Sequence, residues 1–208
     1  MPPLLFALTI HEFAHAYAAY RQGDDTAYRH GRMTLNPLAH LDIIGTLMLM
    51  FSFFGWAKPV PINPHNFTDL RRGIIISTAA GPLANLLTSI ASAIVLGLLP
   101  GRMGYFTLSP SGIIQLMLIF SVVFNVNLAI FNLIPIPPLD GSQILGSSLR
   151  GKAALTYAQF ARSGPIILLI LLTGSYFLKI PFLWWLVSPI IRLISRTFAG
   201  VDIIDLLF

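Results

Sequence analysis

The chain has 208 residues, of which 55% are hydrophobic and only 10% charged, and its formal net charge is +5. A soluble domain carries about 25% charged residues, so this composition, with a mean hydropathy of +0.77, argues against a water-soluble globule and for an integral multi-pass membrane protein built as one domain, 1–208. The basic residues stand singly or in pairs between apolar runs, which argues against a nucleic-acid partner, and the absence of cysteine removes disulfides and thiolate chemistry.

A membrane-crossing helix needs about 20 largely apolar residues. Such runs lie at about 2–20, 43–57, 74–99, 112–133 and 164–180. A sixth run, 182–199, is interrupted by Pro189 and carries Arg192 and Arg196, so it either crosses or lies in the interface. The first run lacks the charged start and small-residue cleavage site of a signal peptide and reads as a retained helix. The 43–57 run is short and implies tilt or local thinning of the bilayer. The expected fold is all-α and polytopic, with five to six transmembrane helices.

The connections differ in kind. "YRHGRMTL" (28–35) alternates about His30-Gly31 and predicts a small membrane-associated β-hairpin. "KPVPINPHNF" (58–67) holds three prolines and must be extended. "NLIPIPPLDGSQ" (132–143) holds three prolines and then Asp-Gly, so the preceding helix breaks near Asn132. Irregular backbone at membrane depth is tolerated only where protein or a water-filled cavity surrounds it.

The chain's only glutamate stands in "HEFAH" within the first apolar run. His11 and His15 are four apart, so on a helix both imidazoles share one face, while Glu12 is offset by about 100° and lies beside them. Two imidazoles that hold a zinc ion and a glutamate that takes a proton from water are the zinc-hydrolase arrangement. Ionisable side chains at membrane depth cost at least about 2.5–3.5 kcal/mol each, and a shared metal compensates that cost. Catalytic zinc needs a third protein ligand. The candidates are His30, His40, His65 and the aspartates. Among these Asp140 stands out, because it follows a proline-broken membrane helix with no neutralising neighbour in sequence.

"HEFAH" (11–15) in a first membrane helix, followed by "NLIPIPPLDG" (132–141), resembles the site-2 protease family of intramembrane zinc metalloproteases, whose pattern is HExxH plus an N-x-x-P-x-P-x-L-D-G segment. "GRMTLNPLAHLD" and "AGPLAN" resemble its compact members, without the PDZ-like or CBS modules of larger ones. The resemblance implies one Zn²⁺ held by His11, His15 and Asp140, with Glu12 as catalytic base. It implies a peptide bond cleaved in or near the transmembrane helix of a single-span membrane-protein substrate, and a location in a prokaryotic cell membrane. Asn132, and less directly Asn85, are candidates for the substrate or oxyanion donor. Arg32, Met33, Thr34 and Leu35 are candidates for a strand edge that captures an unwound substrate. His40 is expected beside the site or at the interface rather than as a ligand, and a regulatory partner is left open. The competing class is a membrane metal-ion transporter built on the same His/Asp set, although the internal repeats common in transporters are absent. A di-iron oxidase needs more clustered histidines than the five present.

Overall fold

The computed structural model describes residues 1–45, 57–99, 109–179 and 181–207. Helix α1, Pro2–Arg21, starts with prolines in its first turn, where their missing N–H groups cost nothing, and buries Ala7, His11, His15, Ala16 and Ala19. A short turn of helix, α2, Thr26–Arg29, follows. Helix α3, Leu70–Leu98, is capped by the Asp69 carboxylate, which accepts the Arg72 N–H at 2.9 Å. Its 29 residues span about 44 Å at helical rise. Helix α4, Pro110–Asn132, is capped by Ser109. It stops where Pro135, Pro137 and Pro138 withdraw the donors that a further turn needs.

Helices α1, α3 and α4 pack on one another, and α5, Asp140–Ser148, lies against α3. The α3 face turned to its neighbours is built of small residues (Gly73, Ser77, Gly81, Ser89, Ala93), which let the backbones approach closely without a large side chain between them. The apolar core lies at the other end of this trio. There Ala93, Leu96, Ile119, Val122 and Val126 meet Val187 and Ile191 of α8, Phe182–Ile194. A π-helical turn, Ser195–Ala199, continues α8, and α9, Ile203–Leu207, folds back on it. Asp202 closes this end by accepting from Arg192 at 2.9 Å and Arg196 at 2.7 Å.

Among the described residues three helices are long and apolar enough to cross a membrane: α3, α4 and Phe182–Ala199. A fourth crossing results if α6, Gly151–Arg162, and α7, Gly164–Phe177, count together as one span bent by 57°. The run at 182–199 therefore has the length of a crossing. The run at 164–180 is a 14-residue helix, too short alone. Helix α1 has the length but carries His11, Glu12, His15 and three tyrosines or arginines, which dilute its apolar character. Most of the 43–57 run falls outside the described residues. Among the described residues, then, three to four of the five to six expected crossings have the length and apolar character of a span.

The expected hairpin at 28–35 is not formed. Asp24 is buried, and its carboxylate accepts the Thr26 N–H (3.1 Å), the Asn63 N–H (2.7 Å) and the Asn66 amide (2.8 Å). Burial pushes this carboxyl up, but those hydrogen bonds outweigh it and hold it below the ordinary aspartate value. The same bonds start α2 where a strand would have begun. Gly31 then takes a left-handed φ of 64°, and the Arg32 N–H bonds back to the Ala27 carbonyl, so the chain turns instead of pairing.

Candidate metal centre

The centre is assembled from three helices. His11 and His15 project from α1 with edge-to-face rings whose centroids are 4.5 Å apart. The carbonyl of Ser77 on α3 lies 2.8 Å from His15 Nδ1. A carbonyl only accepts, so Nδ1 carries the proton and the Nε2 lone pair is free to face inward. Asp140 enters from the first turn of α5. Leu139, just before it, is buried, and the prolines upstream end α4 in time for the chain to turn back beneath α1.

Three atoms converge. His11 Nε2 and His15 Nε2 are 3.0 Å apart, and Asp140 Oδ2 is 3.2 Å from the first and 3.3 Å from the second. Asp140 Oδ2 is nonetheless buried without an aligned hydrogen-bond donor. Tetrahedral zinc with bonds of about 2.0–2.1 Å sets its ligands ~3.3 Å apart, so these spacings suit one shared ion better than mutual hydrogen bonds. Among the described residues this is the group of three His, Asp or Glu side chains that could hold a metal.

Gly81 makes room for it. A Cβ at Gly81 would lie 2.5 Å from His15 Cε1 and 2.8 Å from His11 Cε1, far inside ordinary carbon contact of about 3.5–4.0 Å. The α3 backbone therefore forms a wall flush against both rings.

The centre opens into a cavity of about 650 Å³. Leu8, Leu128, Phe131 and Leu168 supply apolar wall, and Glu12 and Asn132 also face it. Glu12 Oε2 accepts the Val60 N–H at 3.0 Å. Its Oε1 makes no protein hydrogen bond among the described residues. Val60 stands between Pro59 and Pro61, so it holds the one N–H of that tripeptide, and the structure aims it at Glu12. Val60 itself is buried with Ala16 and Ala27, which pins the extended segment over the cavity.

The structure thus brings together His11, Glu12, His15, Asp140 and Asn132. The Asn132 amide donates to the Leu128 carbonyl of its own helix at 3.0 Å. Asn85 does not line the cavity. It is fully buried between helices, and both its amide atoms lack a partner. Arg32–Leu35 form no strand edge and do not line the cavity either. Arg32 donates to the Lys58 carbonyl at 2.7 Å, Met33 packs on the Ala16–Ala27–Val60 cluster, the Thr34 carbonyl is held by His40 at 2.8 Å, and Leu35 is exposed. These residues brace the extended segment from behind. His40 is buried in that bracing role, and His30 is exposed and bonds to the Thr26 carbonyl of its own turn. Val60, Ser77 and Gly81 were not singled out from the sequence. The alternation of prolines about Val60 was the readable signal for the first. A backbone carbonyl and a missing Cβ leave none.

The description "Peptidase family M50" matches residues 63–172 of the chain. Relatives named putative zinc metalloprotease include YwhC of Bacillus subtilis (strain 168), 37% identical over 84% of this chain and 81% of the relative. They also include Rip2 of Mycolicibacterium smegmatis, 30% identical over 81% of this chain and 64% of the relative, and Rip2 of Mycobacterium tuberculosis (strain ATCC 25618 / H37Rv), 28% identical over 80% of this chain and 63% of the relative. The chain therefore spans less than two thirds of those two mycobacterial proteins. No solved structure matches it.

Proposed function

The chain belongs to peptidase family M50 and is a zinc metalloprotease, and from that premise we propose that it cleaves a peptide bond in or near the transmembrane segment of a single-span membrane protein. The observation that carries this is the meeting of His11, His15 and Asp140 within 3.0–3.3 Å, beside Glu12, among helices apolar enough to cross a bilayer.

In this reading His11 Nε2, His15 Nε2 and Asp140 Oδ2 hold the ion. Zinc, when bound, supplies Lewis acidity that makes water nucleophilic near neutral pH and polarises the scissile carbonyl. Glu12 Oε1 takes the proton as the water oxygen bonds to the carbonyl carbon, and it returns that proton to the amide nitrogen as the C–N bond breaks. The Val60 N–H fixes the other carboxylate oxygen, so the base is aimed before substrate arrives. Asn132, which lines the same cavity, would donate to the developing oxyanion once its amide leaves the Leu128 carbonyl. A helical substrate hides its carbonyls, so it unwinds locally to enter the cavity, where segment 57–63 runs extended along one wall. The bacterial relatives support a prokaryotic cell membrane as its location.

The test is reconstitution of the full chain with zinc and a panel of single-span substrates, beside Glu12→Gln. The parent cleaves; the variant keeps one zinc and loses cleavage by about 10²–10⁴-fold, the usual contribution of a general base. Equal cleavage by both refutes the assignment. Zinc flux into vesicles that is lost in Glu12→Gln, with no cleavage by either protein, identifies a transporter instead.

A further inference from the structure

A second pocket, of about 350 Å³, opens at the N-terminal end of α3 and is lined by Asp69, Arg71, Arg72, Ile75, Ile76 and Arg150. Three guanidinium groups here face one carboxylate. One oxygen of that carboxylate, Asp69 Oδ1, accepts the Arg72 backbone N–H at 2.9 Å, and its single negative charge leaves the pocket with an excess of two positive charges. Arg71 donates through Nη2 to the carbonyl of Ser148, the last residue of α5. The guanidinium groups of Arg72 and Arg150 have no protein partner among the described residues, and both side chains are exposed.

Depth decides what fits. Helix α3 is one of the apolar helices long enough to cross a bilayer; in such a crossing its first turn would stand at the level of lipid headgroups and the residues one turn deeper would face acyl chains. Ile75 and Ile76 are those deeper residues. A ring of positive charge above an apolar floor complements a molecule that is anionic at one end and aliphatic at the other. Guanidinium groups pair with phosphate oxygens in a matching fork, and basic pockets between membrane helices bind anionic headgroups. An acidic peptide segment would satisfy the arginines but would leave the isoleucines without an apolar partner.

We propose that this pocket binds one anionic glycerophospholipid, its phosphate between Arg72 and Arg150 and an acyl chain along Ile75 and Ile76. Arg71 is left out of the variants because it holds Ser148, the last residue of the helix that starts with Asp140, so emptying the pocket leaves that helix in place. The inference rests on the reading of α3 as a membrane-crossing helix, and not on the hydrolytic chemistry.

The experiment is native mass spectrometry of the full chain titrated with dioctanoyl-phosphatidylglycerol, dioctanoyl-phosphatidylcholine or inorganic phosphate. The expected result is retention of one phosphatidylglycerol per chain in preference to phosphatidylcholine. In Arg72→Gln/Arg150→Gln, binding weakens by about 25-fold, taking about five-fold for each positive charge removed at a membrane surface. Zinc content stays at the parent's level. The single variant Arg150→Gln, which alters a linker rather than a helix, shows about a five-fold loss. Retention is unchanged in Glu12→Gln, so loss of the lipid and loss of catalysis are read separately. Equal retention of both lipids, or unchanged binding in the double and single variants, overturns the proposal. Inorganic phosphate or an acidic peptide that displaces the lipid at comparable concentration overturns it too, since either shows that the acyl chain contributes nothing.

Discussion

Replacing Gly81 with alanine challenges the metal centre while leaving every proposed ligand in place. The added Cβ would lie 2.5 Å from His15 Cε1 and Nε2 and 2.8 Å from His11 Cε1, an overlap of about 1 Å against ordinary carbon contact. Neither ring can swing aside freely. His15 is tied through Nδ1 to the Ser77 carbonyl at 2.8 Å, and both rings converge on Asp140. Overpacking of this size costs about 1–3 kcal/mol. It can be relieved in two ways: α3 shifts away from α1, or the rings rotate off the shared point. Both spread the ligand atoms, and displaced ligand geometry typically costs 10–100-fold in metal affinity. The expected outcome is zinc affinity lowered by about that factor, measured by competition with a chromophoric chelator, together with a fold that stays helical by circular dichroism. Cleavage at limiting zinc falls with it and recovers in part when zinc is added in excess. A variant that binds zinc as tightly as the parent would refute the reasoning, because the rings could not then be positioned against the α3 backbone as described.

Two further outcomes follow from the loops around the centre. Val60→Pro deletes the N–H that holds Glu12 Oε2; a hydrogen bond to a charged group is worth about 1.5–3 kcal/mol, so cleavage falls roughly 10-fold or more while zinc content is kept, and equal turnover by parent and variant would show that Glu12 needs no such support. Asp24 has a carboxyl held below its ordinary value of 3.8 in the folded chain, so its stabilising contribution is complete above about pH 4 and is lost as the pH falls through the lower folded value; amide hydrogen exchange of residues 24–27 and 63–66 should quicken only in that acid range in the parent, and should already be fast near neutral pH in Asp24→Ala.

The parts of the site that the sequence announced are those whose chemistry is carried by side chains in a fixed local period. The i, i+4 spacing of His11 and His15 determines that both rings share a face, whatever the helix packs against. Asp140 was legible for a different reason. A carboxylate after three prolines at the end of an apolar helix has no cheap solution other than a partner, and the partner is the pair of rings 3.2 and 3.3 Å away. The errors fall where long-range hydrogen bonds decide the local form. Alternation in "YRHGRMTL" predicts a strand only if a second strand pairs with it, and Asp24, reaching across to Asn63 and Asn66, commits the chain to a helical turn before pairing can begin. The extended backbone sought at Arg32–Leu35 lies instead in the proline-alternating segment around Val60, and the supposed strand props that segment from behind through the Arg32 bond to the Lys58 carbonyl. Asn85 packs between helices, which its place within an apolar run allowed as readily as a place at the site. Sequence shows which residues could reach a helix interface, but the wall against the histidines is made by Gly81, one turn earlier, and its contribution is the absence of an atom. The candidate metal centre therefore depends on close backbone approach as much as on its ligands.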